Sequence, residues 1–190
     1  KLFEITGHAR GGQGMVTAFE ILAKIFSHSG EYEVQAFPSF GVERTGAPIQ
    51  AYLRISKTPI LNRSNIYYPD LIVVFDESLI GQIPVFIGLK KDVIILVNTE
   101  KNPSSFQGNA SIIHTIPATK ISLAKGLGSK SLPIVNSAMI GALIKILQGD
   151  ISMTQEIIRK EVPAKHKENA EASEIAFHNV NFFVDTTFSF

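Results

Sequence analysis

An α/β fold with a mainly parallel sheet and a helical C-terminal part is predicted by three features of this 190-residue sequence. Continuous apolar runs, "DLIVVFDES" (70–78), "DVIILVNTE" (92–100) and "SIIHTI" (111–116), suit strands buried on both faces of a parallel sheet. Met15, Val16, Phe19, Leu22, Ala23 and Phe26 recur at helical spacing between the first strand-like segments. From residue 134 onward the pattern is predominantly helical. Strands alternating with helical stretches bury their apolar faces most simply as an α/β layer structure.

Leu2–Thr6 reads as the opening strand, and a helix follows over about Gly12–His28, with Glu20 and Lys24 paired on its solvent side and Gly30 as its stop. Glu33–Phe37 is the second strand. "PSFGVERTGAP" (38–48) has no periodicity and is loop. Ile49–Ile55 alternates as a strand, Tyr52 and Arg54 sharing its second face. The connection before it is too short for a crossover helix, so it is expected to run antiparallel. The apolar runs at 70–78, 92–100 and 111–116 come next, the first two joined around Ile80–Leu89. Ile134–Gln148 is apolar nearly all round and is expected to be buried on most sides. Ser152 and Gln155 form an expected capping box for a helix over 153–162, and Pro163 is expected to start another through about Phe177. "FFVDTTFSF" (182–190) alternates like a strand whose partner the sequence does not name. The whole is expected to be one Rossmann-like three-layer domain over 1–190, with a helical C-terminal extension from about 150 to 190.

Apolar residues make up 45% of the chain and charged residues 18%, the profile of a folded globular protein. A balance of 18 basic against 17 acidic residues argues against a basic nucleic-acid-binding face. The absence of cysteine excludes disulfides, thiolate zinc sites, cluster ligation and Cys nucleophiles within the chain. No apolar run approaches the roughly 20 residues of a membrane span. The start "KLFEIT" reads as a strand and not a signal peptide, so a cytoplasmic location is expected.

"ITGHARGGQGMVTA" (5–18) concentrates glycine beside the first helix. Such a turn supplies free N–H groups and a helix dipole that favour an anion, or else permits close helix–strand packing. The candidate site residues are Gly11, Gly12, Gln13 and Gly14, with Glu43, Arg44 and Gly46 from the second loop. A surface ion pair is the plainer reading of Glu43 and Arg44. Gly7–Gly14, Pro38–Gly46, Asp76–Ser78 and Asn98–Glu100 all leave strand carboxyl ends, where open parallel sheets bind ligands. Dinucleotide binding is disfavoured, because the second strand ends "QAF" and not in the acid that holds a ribose. "GLGSKS" (126–131) has the wrong spacing for a phosphate loop and reads as a turn. The histidines show no metal-ligand spacing, and no G-x-S-x-G elbow occurs. The residues describe an anion-binding module without catalytic apparatus of its own.

"GHARGGQGMVTAFEILAK" and "QAFPSFGVERTGAPIQAYLRIS", followed by "PDLIVVFDESL" and "VNSAMIGAL", resemble the gamma component of the 2-oxoacid:ferredoxin oxidoreductases, most closely the pyruvate type. The resemblance runs from about Phe3 to Leu147. Thr45 departs from the basic residue or glycine usual in the family's second loop. The resemblance implies a complex that converts a 2-oxoacid, coenzyme A and oxidised ferredoxin into an acyl-CoA, carbon dioxide and reduced ferredoxin. It implies alpha, beta and delta partner subunits that carry thiamine diphosphate, Mg and the iron–sulfur clusters, with no cofactor bound by this chain alone. The glycine and Arg44 loops would then serve either coenzyme A or a subunit interface. Two alternatives stay open: a relative acting on 2-oxoglutarate, a branched-chain 2-oxoacid or indolepyruvate, and a purely structural interaction subunit.

Overall fold

The computed structural model describes residues 1–39 and 44–188. Each apolar run becomes a strand, giving β1 (Phe3–Arg10), β2 (Glu33–Pro38), β3 (Pro48–Ser56), β4 (Leu71–Val74), β5 (Ile94–Asn98), β6 (Ile112–Ile116) and β7 (Asn181–Val184). They form a 7-stranded sheet in the order β2-β3-β1-β4-β5-β6-β7. The centre β1-β4-β5-β6 is parallel throughout. β3 runs antiparallel to both β1 and β2, as its short connection requires. β7 finds its partner in β6, antiparallel, with His114 opposite Phe182.

The helices are α1 (Met15–Ser27), α2 (Ala118–Ala124), α3 (Asn136–Ile146), α4 (Ile151–Glu161) and α5 (His166–His178). They share one apolar cluster with Ile5, Ala9, Leu53, Leu71, Val73 and Leu96, the alternate residues of the strands. Period-2 alternation turns the next residues to the opposite face. There Ile72, Val74, Ile95, Val97 and Ile113 form a second cluster with Leu79, Val85, Phe106 and Ala110. This third layer is built from irregular chain and two 3-10 turns, Glu77–Leu79 and Pro103–Phe106. The 80–89 connection stays non-helical because Gly81 (φ 88°) and Gly88 (φ 65°) flank Pro84.

α3 is buried from Asn136 to Ile144, as its apolar circumference predicts. It lies so close to α5 that a Cβ on Gly141 would meet the Ser173 carbonyl oxygen at 1.9 Å. Several local expectations are corrected. The cap of α4 is Asp150 and not the Ser152/Gln155 box: its carboxylate accepts from Ser152 N (2.8 Å) and Met153 N (3.1 Å), a short acceptor placed one residue before the helix. Gln155 instead donates to Ala170 O of α5 (3.2 Å). α5 starts at His166 and not Pro163, after Lys165 in a left-handed conformation, where Asn169 Nδ2 donates to the Ala164 and Lys165 carbonyls. Lys24 pairs across space with Glu161 of α4, not with Glu20 on its own helix.

Candidate functional site

β1 leads through α1 to the β2–β3 side of the sheet, while β4 continues to β5 and β6 on the other. The topology therefore reverses between β1 and β4, and a crevice opens where adjacent chains leave in opposite directions. A cavity of about 520 Å³ lies there. The four segments expected at one rim all reach it: Arg10, Gly11 and Gln13 after β1, Thr45 and Gly46 before β3, Asp76 and Glu77 after β4, and Asn98–Glu100 after β5.

Its floor is a connected polar network. Gln13 Nε2 donates to Asp76 Oδ2 (2.7 Å), and Gln13 Oε1 accepts from Arg10 N (2.8 Å). Asp76 Oδ1 accepts from Ser78 N (2.9 Å) and Ser78 Oγ (2.6 Å). The Arg10 guanidinium donates to Ser78 Oγ (2.9 Å), Gln82 Oε1 (2.8 Å) and Gly46 O (3.1 Å), and lies 3.4 Å from Asp76 Oδ2. Burial pushes the Asp76 carboxyl up. Hydrogen bonds from Ser78 and Gln13 with the charge of Arg10 outweigh burial and hold it below the usual carboxylate range. On the far wall, buried Asn98 donates to Phe75 O (2.9 Å) and Thr119 Oγ1 (2.8 Å) and accepts from Thr119 N (3.1 Å), joining β4, β5 and the start of α2.

The glycines divide by role. Gly11 serves close packing: its N–H donates to Ala47 O (2.8 Å), its carbonyl accepts from Gly46 N (3.0 Å), and a Cβ there would stand 2.2 Å from Arg44 O. Gly12 (φ 93°) and Gly14 (φ 81°) provide left-handed turns into α1, and neither lines the cavity. The N–H groups of Gly11 and Gln13, the loop residues that reach the cavity, already bond Ala47 O and Arg10 O. The expected backbone cradle for an anion is thus occupied from within at these two positions. Arg44 is exposed, and its carbonyl oxygen faces Gly11 and accepts from Ala47 N (3.0 Å). Glu43 lies outside the described residues.

Cationic side chains at the mouth come from two residues outside the expected site, Lys120 and Lys130. Lys120 belongs to α2, where it lies 3.6 Å from Glu100. Lys130 sits at the tip of the 126–133 segment, which is a turn as expected, closed by Ser129 N to Leu132 O (3.0 Å). The 126–131 segment lacks the spacing of a phosphate loop and nothing local distinguishes Lys120, so only the fold shows that residues 120 and 130 reach the rim. Asn98 did carry a signal: it is polar at the end of an otherwise apolar strand.

The sequence pattern of the family described as "Pyruvate ferredoxin/flavodoxin oxidoreductase" matches residues 4–179. The chain is 46% identical over 182 residues to pyruvate synthase subunit PorC of Methanothermobacter marburgensis, covering 94% of this chain and 98% of that relative. It is 41% identical over 191 residues to the pyruvate/ketoisovalerate oxidoreductases common subunit gamma of Pyrococcus abyssi, covering 96% and 99%. The crystal structure of pyruvate oxidoreductase subunit PORC from Thermotoga maritima superposes with a TM-score of 0.79 at 32% identity, covering 96% of this chain and 98% of that one.

Proposed function

The chain belongs to the pyruvate ferredoxin/flavodoxin oxidoreductase family, and from that premise we propose how its cavity serves an enzyme complex. It is a gamma subunit of a 2-oxoacid:ferredoxin oxidoreductase. In our reading the complex converts pyruvate, coenzyme A and oxidised ferredoxin into acetyl-CoA, carbon dioxide and reduced ferredoxin. Alpha, beta and delta subunits are its partners, and they carry the thiamine diphosphate, Mg and iron–sulfur clusters. Zero cysteines suit that division, since a cluster needs thiolate ligands that this chain lacks. Among the described residues no helix is long and apolar enough to cross a membrane, and we place the complex in the cytoplasm.

The observation that carries the reading of the site is the cavity at the reversal between β1 and β4. Its volume of about 520 Å³ falls within the roughly 300–1,000 Å³ of small-molecule sites. With the Gly11 and Gln13 N–H groups engaged, the groups suited to coenzyme A phosphates are Lys120 and Lys130 at the mouth. The Arg10–Asp76–Gln13 network fixes the floor and holds the Gly46 wall. Arg44, whose carbonyl packs on Gly11 and whose side chain is on the outer surface, is assigned to the subunit interface.

Relatives named as common to pyruvate and ketoisovalerate oxidoreductases favour a second reading, in which this subunit type serves more than one 2-oxoacid. The choice of acid then belongs to other chains.

Kinetics of the assembled complex test the site. A lost charge-assisted hydrogen bond is worth about 1.5–3 kcal/mol, so Lys130→Ala should raise KM for coenzyme A by about tenfold or more, with assembly intact. Arg44→Ala should weaken assembly and leave that KM unchanged. An unchanged KM in Lys130→Ala refutes the cavity assignment, and a selective coenzyme A defect in Arg44→Ala refutes the interface assignment.

A further inference from the structure

The crevice between β1 and β4 has polar side chains on every wall, and most of them are spent on one another. Gln13 gives its amide to Asp76 Oδ2 (2.7 Å) and accepts from Arg10 N (2.8 Å). Asp76 faces the Arg10 guanidinium (3.4 Å). Glu77 is paired with Lys101 and accepts from Thr99 Oγ1. Thr45 and Ser131 line the crevice too, but both residues are exposed to solvent. Thr119, half-buried beside Asn98, differs from all of these.

Buried Asn98 fixes the polarity of that hydroxyl. Two backbone groups decide which way the Asn98 amide points. The Phe75 carbonyl can only accept, so Nδ2 faces it at 2.9 Å. The Thr119 N–H can only donate, so Oδ1 faces it at 3.1 Å. Nδ2 therefore gives its second proton to Thr119 Oγ1 (2.8 Å). A hydroxyl that accepts in this way still has its own proton to donate. A threonine in a helix commonly gives that proton back to the carbonyl four residues earlier, as Thr154 does to Asp150 O (2.7 Å). Thr119 makes no such bond, and among the described residues no oxygen accepts from it.

The surroundings of Thr119 narrow what would take the proton. Lys120, the next residue of α2, lines the same crevice, as does Lys130. Lys120 lies 3.6 Å from Glu100 with both side chains 70% exposed. A pair that open is worth little, so the ammonium can turn to a ligand. A hydroxyl with its acceptor side engaged and two ammonium groups match a group that only accepts, and the positive charges favour one that is anionic. A phosphate ester has that chemistry. The Thr119 N–H is itself taken by Asn98, so the contact belongs to the hydroxyl and not to the start of the helix. The donor is also held in advance: Asn98 ties it to the ends of β4 and β5, so little freedom is lost when a ligand arrives.

We propose that Thr119 is a ligand-binding residue of the crevice, its hydroxyl turned outward by Asn98 to donate to a phosphate oxygen of coenzyme A beside Lys120 and Lys130. The proposal rests on coenzyme A occupying this crevice. It makes Asn98 a positioning residue, which acts on the ligand only through Thr119.

The test compares wild type, Thr119→Val and Thr119→Ser in the assembled complex, by steady-state kinetics and by calorimetric titration with coenzyme A. Valine keeps the shape of threonine and deletes the hydroxyl, whereas serine keeps the hydroxyl and deletes the methyl. Thr119→Ala removes the same hydroxyl with less bulk and carries the same expectation as valine, and thermal unfolding verifies that each variant folds. Thr119→Val should raise both KM and Kd for coenzyme A about tenfold, the scale of one hydrogen bond to a charged group. Its kcat and its KM for the 2-oxoacid should not change, because the contact is made equally in ground and transition states. Thr119→Ser should bind coenzyme A as wild type does. Folded Val and Ala variants with wild-type KM and Kd would overturn the assignment, as would a serine variant as defective as valine, or a fall in kcat with KM unchanged. Lys130→Ala then separates the two readings. If it still shows a coenzyme A defect, the crevice reading stands without Thr119; if it shows none, that reading falls as well.

Discussion

Acidifying the protein from about pH 7.5 to about pH 5 should remove stability through one buried side chain, His8. The imidazole is 1% exposed, between Gln50 and the Val85 backbone, and titrates at about 4 in the fold against 6.5 when free. The unfolded chain therefore takes up the proton first. The full contribution of neutral His8 is present above about 6.5 and is lost as the pH falls toward 4. Linkage over that interval gives a loss of about 2 kcal/mol by about pH 5 and about 3 kcal/mol by about pH 4. That is a large fraction of the roughly 5–15 kcal/mol that holds a domain folded. Urea unfolding at a series of pH values, for wild type and His8→Gln, isolates the effect. Other groups, including His114, whose pKa burial also lowers, titrate alike in both proteins and cancel in the difference. Wild type should lose about 2 kcal/mol more than His8→Gln between pH 7.5 and 5. Parallel stability curves for the two proteins would refute the assignment of a buried neutral imidazole.

Two substitutions probe the scaffold, each by thermal unfolding. Gly11→Ala places a methyl 2.2 Å from Arg44 O, so the backbone at 44–47 must move, at a cost of about 1–3 kcal/mol; an unchanged Tm would show that this contact is not made in solution. Leu143→Ala empties a fully buried site in α3 and should cost about 2–5 kcal/mol; a wild-type midpoint would contradict the buried position of that helix.

The strands and most helices were legible because burial writes itself into short-range patterns. The run "LIVVF" is continuous because β4 is covered on both faces, and α3 is apolar nearly all round because α1, α2, α4 and α5 pack against it. The glycine cluster could be located from sequence but not interpreted. Free N–H groups and close packing demand the same residue, and only the approach of Arg44 O to Gly11 distinguishes them. The cap at Asp150 was misplaced by two residues, since Ser, Thr, Asp and Asn near a helix start are interchangeable signals until one carboxylate is seen to reach the N–H groups.

What the sequence determined by itself is the α/β class, the absence of thiolate chemistry, and family membership through ordered motifs spread over most of the chain. What only the tertiary structure decided is which distant residues share a site. Lys120 and Lys130 reach the rim at Arg10 by chain reversals of more than a hundred residues. β1 meets β3 in a register that pairs Thr6 with Tyr52 and His8 with Gln50, residues more than forty positions apart in the chain. Periodicity records which face of an element is buried, because burial acts residue by residue along the chain. It holds no record of which two elements meet, because that is set by sheet order and register, and these are the sum of all the packing contacts at once.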